Sequence, residues 1–148
     1  MPVNLRAMTE DDLEAVVYIQ NRITRSPVSD LWRDKLAEHV GSAHLPGYVA
    51  EMDGEVAGFI YGEIKVGGFG AELSGWIEMV GVRPEHMGGG IGGSLAQRIV
   101  QHFRDEGVKD ILTSVRWDSG DMLAFFKSLG FDRSPFINLQ LKLDGGQG

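Results

Sequence analysis

Residues Val82 to Gly93 read V-R-P-E-H-M-G-G-G-I-G-G, and the chemistry that this spacing suits is anion binding. Five of the six positions from Gly88 to Gly93 are glycine, and an amphipathic stretch with Leu95, Ile99, Val100 and Phe103 follows at once. A glycine turn at a helix start leaves backbone N–H groups unpaired and free of side-chain cover. The helix dipole adds partial positive charge there, which suits a phosphate or pyrophosphate. The bland alternative is a glycine-rich surface loop. Against it stand the direct run into an amphipathic helix and Pro84, which fixes how the chain leaves the preceding apolar stretch.

Gly88, Gly90 and Gly93 satisfy G-x-G-x-x-G, yet the context is wrong for a dinucleotide fold. That motif directly follows a parallel strand and needs an acidic residue about 20 positions on. Here an arginine-proline loop intervenes and position 113 is Thr. No Gly-Lys-Ser/Thr closes the run as a P-loop would require. His39, His44, His86 and His102 lack paired ligand spacing, so no metal site is expected. Ser94 does not complete G-x-S-x-G, since position 96 is Ala. The chain has no cysteine, which excludes disulfides, thiolate metal sites and a cysteine nucleophile.

The elements that must position this turn read clearly. The 148 residues fit one domain, residues 1–144, with 145–148 as a frayed tail. A net charge of −7 argues against a general nucleic-acid binder. No run approaches the roughly 18 apolar residues of a membrane span, and no signal-peptide pattern opens the chain, so a soluble cytoplasmic protein is expected. Val3 to Ala7 is a strand, Thr9 opens a helix that Ser26-Pro27 breaks, and Ser29 caps a second helix through about Val40. Gly47 to Met52 and Glu55 to Lys65 flank Asp53-Gly54, a two-residue hairpin signal. Gly67 to Gly70 turns into a third strand, Ala71 to Val82. After the glycine turn come a helix to Glu106, a strand Asp110 to Val115, a helix Asp121 to Leu129 and a last strand, Ile137 to Leu143. The order β-α-α-β-β-β-α-β-α-β describes a single mixed α/β (α+β) layer structure.

The glycine segment resembles motif A of the GNAT superfamily of N-acetyltransferases, V-x-P-x-x-Q/R-x-x-G-x-G/A, through Val82, Pro84, Gly90 and Gly92. Met87 stands where Gln or Arg is usual. Leu5 to Leu13 resembles the family's first strand and helix, Gly47 to Gly58 its β2-β3 hairpin, and Ala124 to Phe131 its motif B. The resemblance implies a mostly antiparallel central sheet flanked by helices. It also implies acetyl-coenzyme A as co-substrate, bound where the fourth and fifth strands splay. On that likeness the pyrophosphate sits on the turn formed by Met87, Gly88, Gly89, Gly90, Ile91, Gly92 and Gly93. The pantetheine arm pairs with Val80, Gly81 and Val82. Ser119 stands where many members carry Asn, and Phe126 where many carry a Tyr that protonates the leaving thiolate.

The implied acceptor is a primary amine, which attacks a thioester only as the free base, whereas an alkylammonium has a pKa near ~10. Glu78, four residues before Val82, is the candidate base, at a position where members often place Glu or His. Strict alternation puts it on one face with Trp76, Val80 and Val82, and a bulge would reset that parity. Glu72 is a weaker substitute. Tyr61 and Trp76 are candidates to line an acceptor pocket, with walls from Thr24 to Asp30 and Gly67 to Gly70. Of the pair Phe125-Phe126, one ring is expected inward and one near the cofactor arm. The leading function is acetyl transfer to an amine of a small molecule or protein by direct attack. The alternative is a catalytically weak or inactive acyl-coenzyme A-binding regulatory module, which Phe126 and Ser119 favour. Edge strands such as the last one could pair in a homodimer.

Overall fold

The computed structural model describes residues 3–67 and 72–143. Five strands form one sheet in chain order: β1 (Asn4–Ala7), β2 (Gly47–Met52), β3 (Glu55–Val66), β4 (Leu73–Val82) and β5 (Asp110–Thr113). The first four pair antiparallel, and β5 joins β4 in parallel. Helices α1 (Leu13–Thr24) and α2 (Asp30–Ala37) cover one face. Helix α3 (Ile91–Asp105) covers the other, and α4 (Gly120–Ser128) follows β5. The mixed, mostly antiparallel sheet flanked by helices is the architecture that the sequence implies.

Local chemistry explains the elements. Asp53 and Gly54 both take positive φ, 53° and 76°, as a tight hairpin turn demands, and Met52 pairs Glu55 directly across it. The Ser29 hydroxyl accepts the Trp32 amide at 3.1 Å and starts α2. At the other helix entry, Asp12 accepts the Thr9 amide at 2.8 Å and a two-pronged bond from Arg6 at 2.7 and 2.9 Å. Burial works against the Asp12 carboxylate, but Arg6 and Thr9 outweigh it and hold it below the usual carboxylate range. The first turn after Thr9 is 3₁₀ rather than α, and α1 proper begins at Leu13.

Two cores flank the sheet. Ile91, Leu95, Ile99 and Phe103 of α3 pack on Ala50, Ile60, Ile64 and Ile77. Val16, Ile19 and Leu36 pack on Val49, Phe59 and Tyr61 on the opposite face. Each such large side chain contributes roughly 1.5–3 kcal/mol when fully buried. Phe103 lies so close to β4 that a Cβ on Gly75 would sit 2.8 Å from its ring.

The last expected strand is a correction. Residues 137–143 form no strand, and Ile137, Leu139, Leu141 and Leu143 stand exposed. Alternation is present, but among the described residues no neighbouring strand meets it, and alternation selects a face without supplying a ladder. Strand β5 ends at Thr113 and α2 at Ala37, each a few residues short of expectation. Of the expected Gly67 to Gly70 turn, residues 68–70 lie outside the described residues, as do Ala71 and the tail 145–148.

Candidate active site

The parallel ladder between β4 and β5 has four rungs, from Ser74↔Asp110 to Ile77↔Thr113. At the last rung the Thr113 hydroxyl donates to the Ile77 carbonyl at 2.9 Å. Beyond it the strands part. Residues 79–82 keep β3 on one edge, from Tyr61↔Met79 to Gly58↔Val82, and residues 78–82 have no β5 partner on the other. Val80, Gly81 and Val82 therefore present a strand edge to the fork, which an extended, amide-bearing ligand can extend as an added strand.

The glycine turn closes the same end of β4. Gly88 and Gly90 take positive φ, 86° and 85°, and Gly90 caps α3 from the left-handed region, where a side chain is disfavoured. Among the described residues no backbone carbonyl accepts from the amides of Gly88, Gly89, Gly90, Ile91, Gly92 or Gly93, whereas Ser94 already bonds back to Gly90. Gly88 to Gly90 are exposed, and no atom lies within 4 Å of where a Cβ on Gly88, Gly90 or Gly93 would stand. This is an open cluster of donors at the positive end of a 15-residue helix, fit for a pyrophosphate. Met87 is exposed at its entrance.

What holds the turn was not legible in the sequence. Arg83 donates from Nε to the Val56 carbonyl at 2.7 Å and lays its guanidinium 4.8 Å over the Tyr18 ring. Arg22, in the last turn of α1, pairs with Glu85 at 2.8 Å. Together they tie the Pro84–His86 3₁₀ turn to α1. The Arg22–Glu85 pair is 63 residues apart in sequence, so no local pattern announces it.

Glu78 sits where both ladders of β4 change. On the β3 side Tyr61 pairs Met79 while Gly62 pairs Ile77, so Glu78 bulges out with no opposite residue. The bulge overturns the face expected from strict alternation. Leu73, Ile77, Val80 and Val82 contribute to the α3-side core, while Met79 packs with Tyr61 on the α1 side. Glu78 is exposed at the mouth of the fork, apart from Val80 and Val82.

Its surroundings are aromatic. Burial pushes the Tyr61 phenol up, opposed by the Trp32 side chain, and the nearby Glu78 carboxylate adds to the rise. Trp32 meets Tyr61 edge-on at 6.2 Å, and His39 stacks tilted on it at 4.7 Å. His39 is buried and donates from Nδ1 to the Lys35 carbonyl at 3.1 Å; burial lowers its pKa below the ordinary histidine value. Lys65 lies 4.7 Å over the Trp76 ring. Tyr61 is thus brought beside Glu78, with a wall contributed by α2 rather than by the Thr24 to Asp30 loop alone.

The remaining expected residues fall less neatly. Phe126 is the inward ring, 5% exposed, edge-on to Phe125 at 5.0 Å and Phe131 at 5.2 Å. Phe125 is the ring that touches the glycine turn, 3.3 Å from where a Cβ on Gly92 would be. Ser119 caps α4 with its amide bonded to the Arg116 carbonyl and its hydroxyl making no cap bond. Glu72 is exposed at the far end of β4. A groove of about 370 Å³ between α3 and the end of α4 contains none of these residues. Among the described residues no three His, Asp or Glu side chains converge as a metal site requires.

Residues 13–131 match the model of the acetyltransferase (GNAT) family, a span holding the fork, the glycine turn and Glu78. The chain belongs to that family. Within the GNAT family it is 35% identical over 89 residues to a mycothiol acetyltransferase of Amycolatopsis mediterranei, covering 58% of this chain and 30% of that protein. It is 33% identical over 86 residues to the mycothiol acetyltransferase of Kocuria rhizophila, covering 57% and 28%. The alignments thus span less than a third of these relatives. Among solved structures, the aminoglycoside acetyltransferase AAC(6')-Iy in complex with a bisubstrate analog superposes with a TM-score of 0.84 at 18% identity, over 97% of this chain and 99% of that one. A transcriptional regulator from Bacillus halodurans superposes with a TM-score of 0.81 at 20% identity, over 96% and 100%. At these identities the structural likenesses speak for the GNAT fold alone. Among the described residues no helix is long and apolar enough to cross a membrane.

Proposed function

We propose that the chain is a cytoplasmic N-acetyltransferase that moves acetyl from acetyl-coenzyme A to a primary amine, with Glu78 as base. The observation that carries this is the juxtaposition along β4. Unpaired glycine-turn amides, a free strand edge at 80–82 and the bulged Glu78 lie in that order down one strand end. The thioester, when bound, supplies the activated acyl carbon. The turn amides from Gly88 to Gly93 hold the pyrophosphate, and the edge of Val80 to Val82 orients the pantetheine arm, fixing the thioester near Glu78. Glu78 takes a proton from the acceptor ammonium, directly or through water, so that the amine nitrogen attacks as the free base. The N–C bond forms and the C–S bond breaks, the acylated nitrogen gives up its second proton to water, and the departing thiolate takes one back from water. With no cysteine in the chain and no activated serine among the candidates, transfer is direct.

The named activities of the relatives and neighbours support a small-molecule amine acceptor. Mycothiol acetyltransferases and an aminoglycoside acetyltransferase are both among them. The aromatic pair of Trp32 and Tyr61 beside the Glu78 carboxylate suits a cationic amine carried on a compact, partly apolar frame. The test is release of free coenzyme A thiol from acetyl-coenzyme A across a panel of aminosugars, polyamines, amino acids and peptide N-termini. Amine-dependent release with at least one small amine supports the reading. Acetyl-coenzyme A binding without release for any amine would replace it with a regulatory binding module.

A further inference from the structure

Tyr61 carries a hydroxyl that packing does not require. Its ring is stacked on Phe59 at 6.2 Å and 12°, edge-on to Trp32 at 6.2 Å and tilted against His39 at 4.7 Å. Phe59 fills the same apolar cluster with a bare ring. The three neighbours clamp the Tyr61 side chain, which is 9% exposed, in one orientation. Among the described residues no protein acceptor takes the phenolic proton, whereas the Trp32 indole, which can only donate, addresses the hydroxyl oxygen. The hydroxyl is thereby left as a donor, and accepting one hydrogen bond strengthens the one it gives.

Strand β4 decides what that donor faces. Tyr61 pairs Met79 and Gly62 pairs Ile77, so Glu78 stands opposite the link between Tyr61 and Gly62. Gly62 permits this close approach, because a Cβ there would run into the Trp76 carbonyl. Tyr61 and Met79 share the α1-side cluster, and Ile77 lies in the opposite one. The Glu78 carboxylate is the charged group that acts on the phenol. The residues that α1 brings to this cluster, Val16, Val17 and Ile19 among them, are apolar, and His39 is buried, which holds it below its ordinary pKa.

We infer that Tyr61 is a positioning residue for the proton that Glu78 removes: its hydroxyl donates to a water that bridges the acceptor ammonium and the Glu78 carboxylate. The inference rests on Glu78 being the base. Held by the hydroxyl, the water keeps one lone pair for an ammonium N–H and aims one of its own O–H bonds at the carboxylate. One proton passes from the ammonium to the water and another from the water to Glu78. The water is left whole, Tyr61 keeps its proton, and the amine is the free base that attacks. From Trp32 through Tyr61 and the water to Glu78, every hydrogen bond donates in the same direction, so the relay has a single terminus.

Tyr61→Phe keeps the ring and its three neighbours and removes only the donor. It should lower kcat by about 10-fold near neutral pH, the scale of one lost hydrogen bond. The Tm and the KM for acetyl-coenzyme A should stay in place. The deficit should close as pH rises towards the amine pKa of ~10, where the acceptor arrives without the proton that has to be moved. In a Glu78→Gln background the same substitution should cost almost nothing, since the relay then has no base at its end. An undiminished kcat overturns the inference. So does a deficit equal at every pH, which belongs to a structural role, and so does one that multiplies with that of Glu78→Gln, which belongs to an independent group. An unmodified chain that releases no coenzyme A with any amine ends the base reading and this one together, whereas release that ignores Tyr61→Phe ends this one alone.

Discussion

The Thr113 hydroxyl donates to the Ile77 carbonyl at 2.9 Å across the last rung that β4 and β5 share. One residue later Glu78 leaves both ladders. The hydrogen bond therefore sits at the apex of the fork and fixes where the two strands begin to part. Thr113→Val keeps the shape and removes the bond, leaving the Ile77 carbonyl without that donor. The expected cost is about 1 kcal/mol, or a fall in Tm of about 2–4 °C. A raised KM for acetyl-coenzyme A should accompany it as the apex loosens. Thermal unfolding and steady-state kinetics check the two halves separately.

Glu78→Gln should lower kcat by about 10²-fold or more near neutral pH and leave coenzyme A affinity nearly unchanged. The deficit should shrink as pH rises towards the amine pKa of ~10, because more acceptor then arrives as the free base. An equal deficit at every pH would assign the base to another group or to water.

Gly90→Val places a β-branched side chain at a φ of 85°, which the left-handed region penalises by roughly 1–2 kcal/mol. It also puts methyl groups among the turn amides. At ligand concentrations about 100-fold over Kd, acetyl-coenzyme A should stabilise the unmodified chain by about 2.7 kcal/mol. The variant should show little or none of that gain. Thermal shift with and without the cofactor measures it.

Phe126→Tyr asks whether a hydroxyl at this ring rescues acid catalysis. With the ring buried against Phe125 and Phe131, the added hydroxyl meets aromatic edges. The expected result is unchanged kcat together with a stability loss of about 1–3 kcal/mol, the cost of a buried polar group without a partner. A higher kcat would place the ring in the fork instead.

Stability should fall as pH drops below about 6.5 through His39. Burial lowers the folded-state pKa of this group below its unfolded value. Between those two values the unfolded chain holds more protons, so stability is full above the unfolded pKa and declines as pH falls towards the folded one. His39→Gln should flatten that segment of the profile, as denaturant titrations from pH 5 to 8 would record.

Much of this was legible in the chain because each signal was local. Asp53-Gly54 forces its hairpin, Ser29 caps its helix, and the glycine run announces a turn with free amides. The bulge at Glu78 has no residue-type signature, since any side chain can be the unpaired one, and only the register against β3 reveals it. Phe125 and Phe126 are chemically equivalent neighbours, so which ring turns inward depends on how α4 docks. The alternation of Ile137 to Leu143 was visible but names no partner. The Arg22–Glu85 tie belongs to tertiary structure entirely.

The bulge also makes β4 two devices in series. Side chains from Leu73 to Ile77 and from Met79 to Val82 run out of phase, so the odd-numbered positions of one half point where the even-numbered positions of the other do. Deleting the single residue at position 78 would restore one continuous phase, with Met79 and Gly81 still on the α1 side and Val80 and Val82 still on the α3 side. On the proposed function, diversity introduced at Trp76 and its neighbour Lys65 would reshape an acceptor side while the strand edge at 80–82 keeps its register against β3.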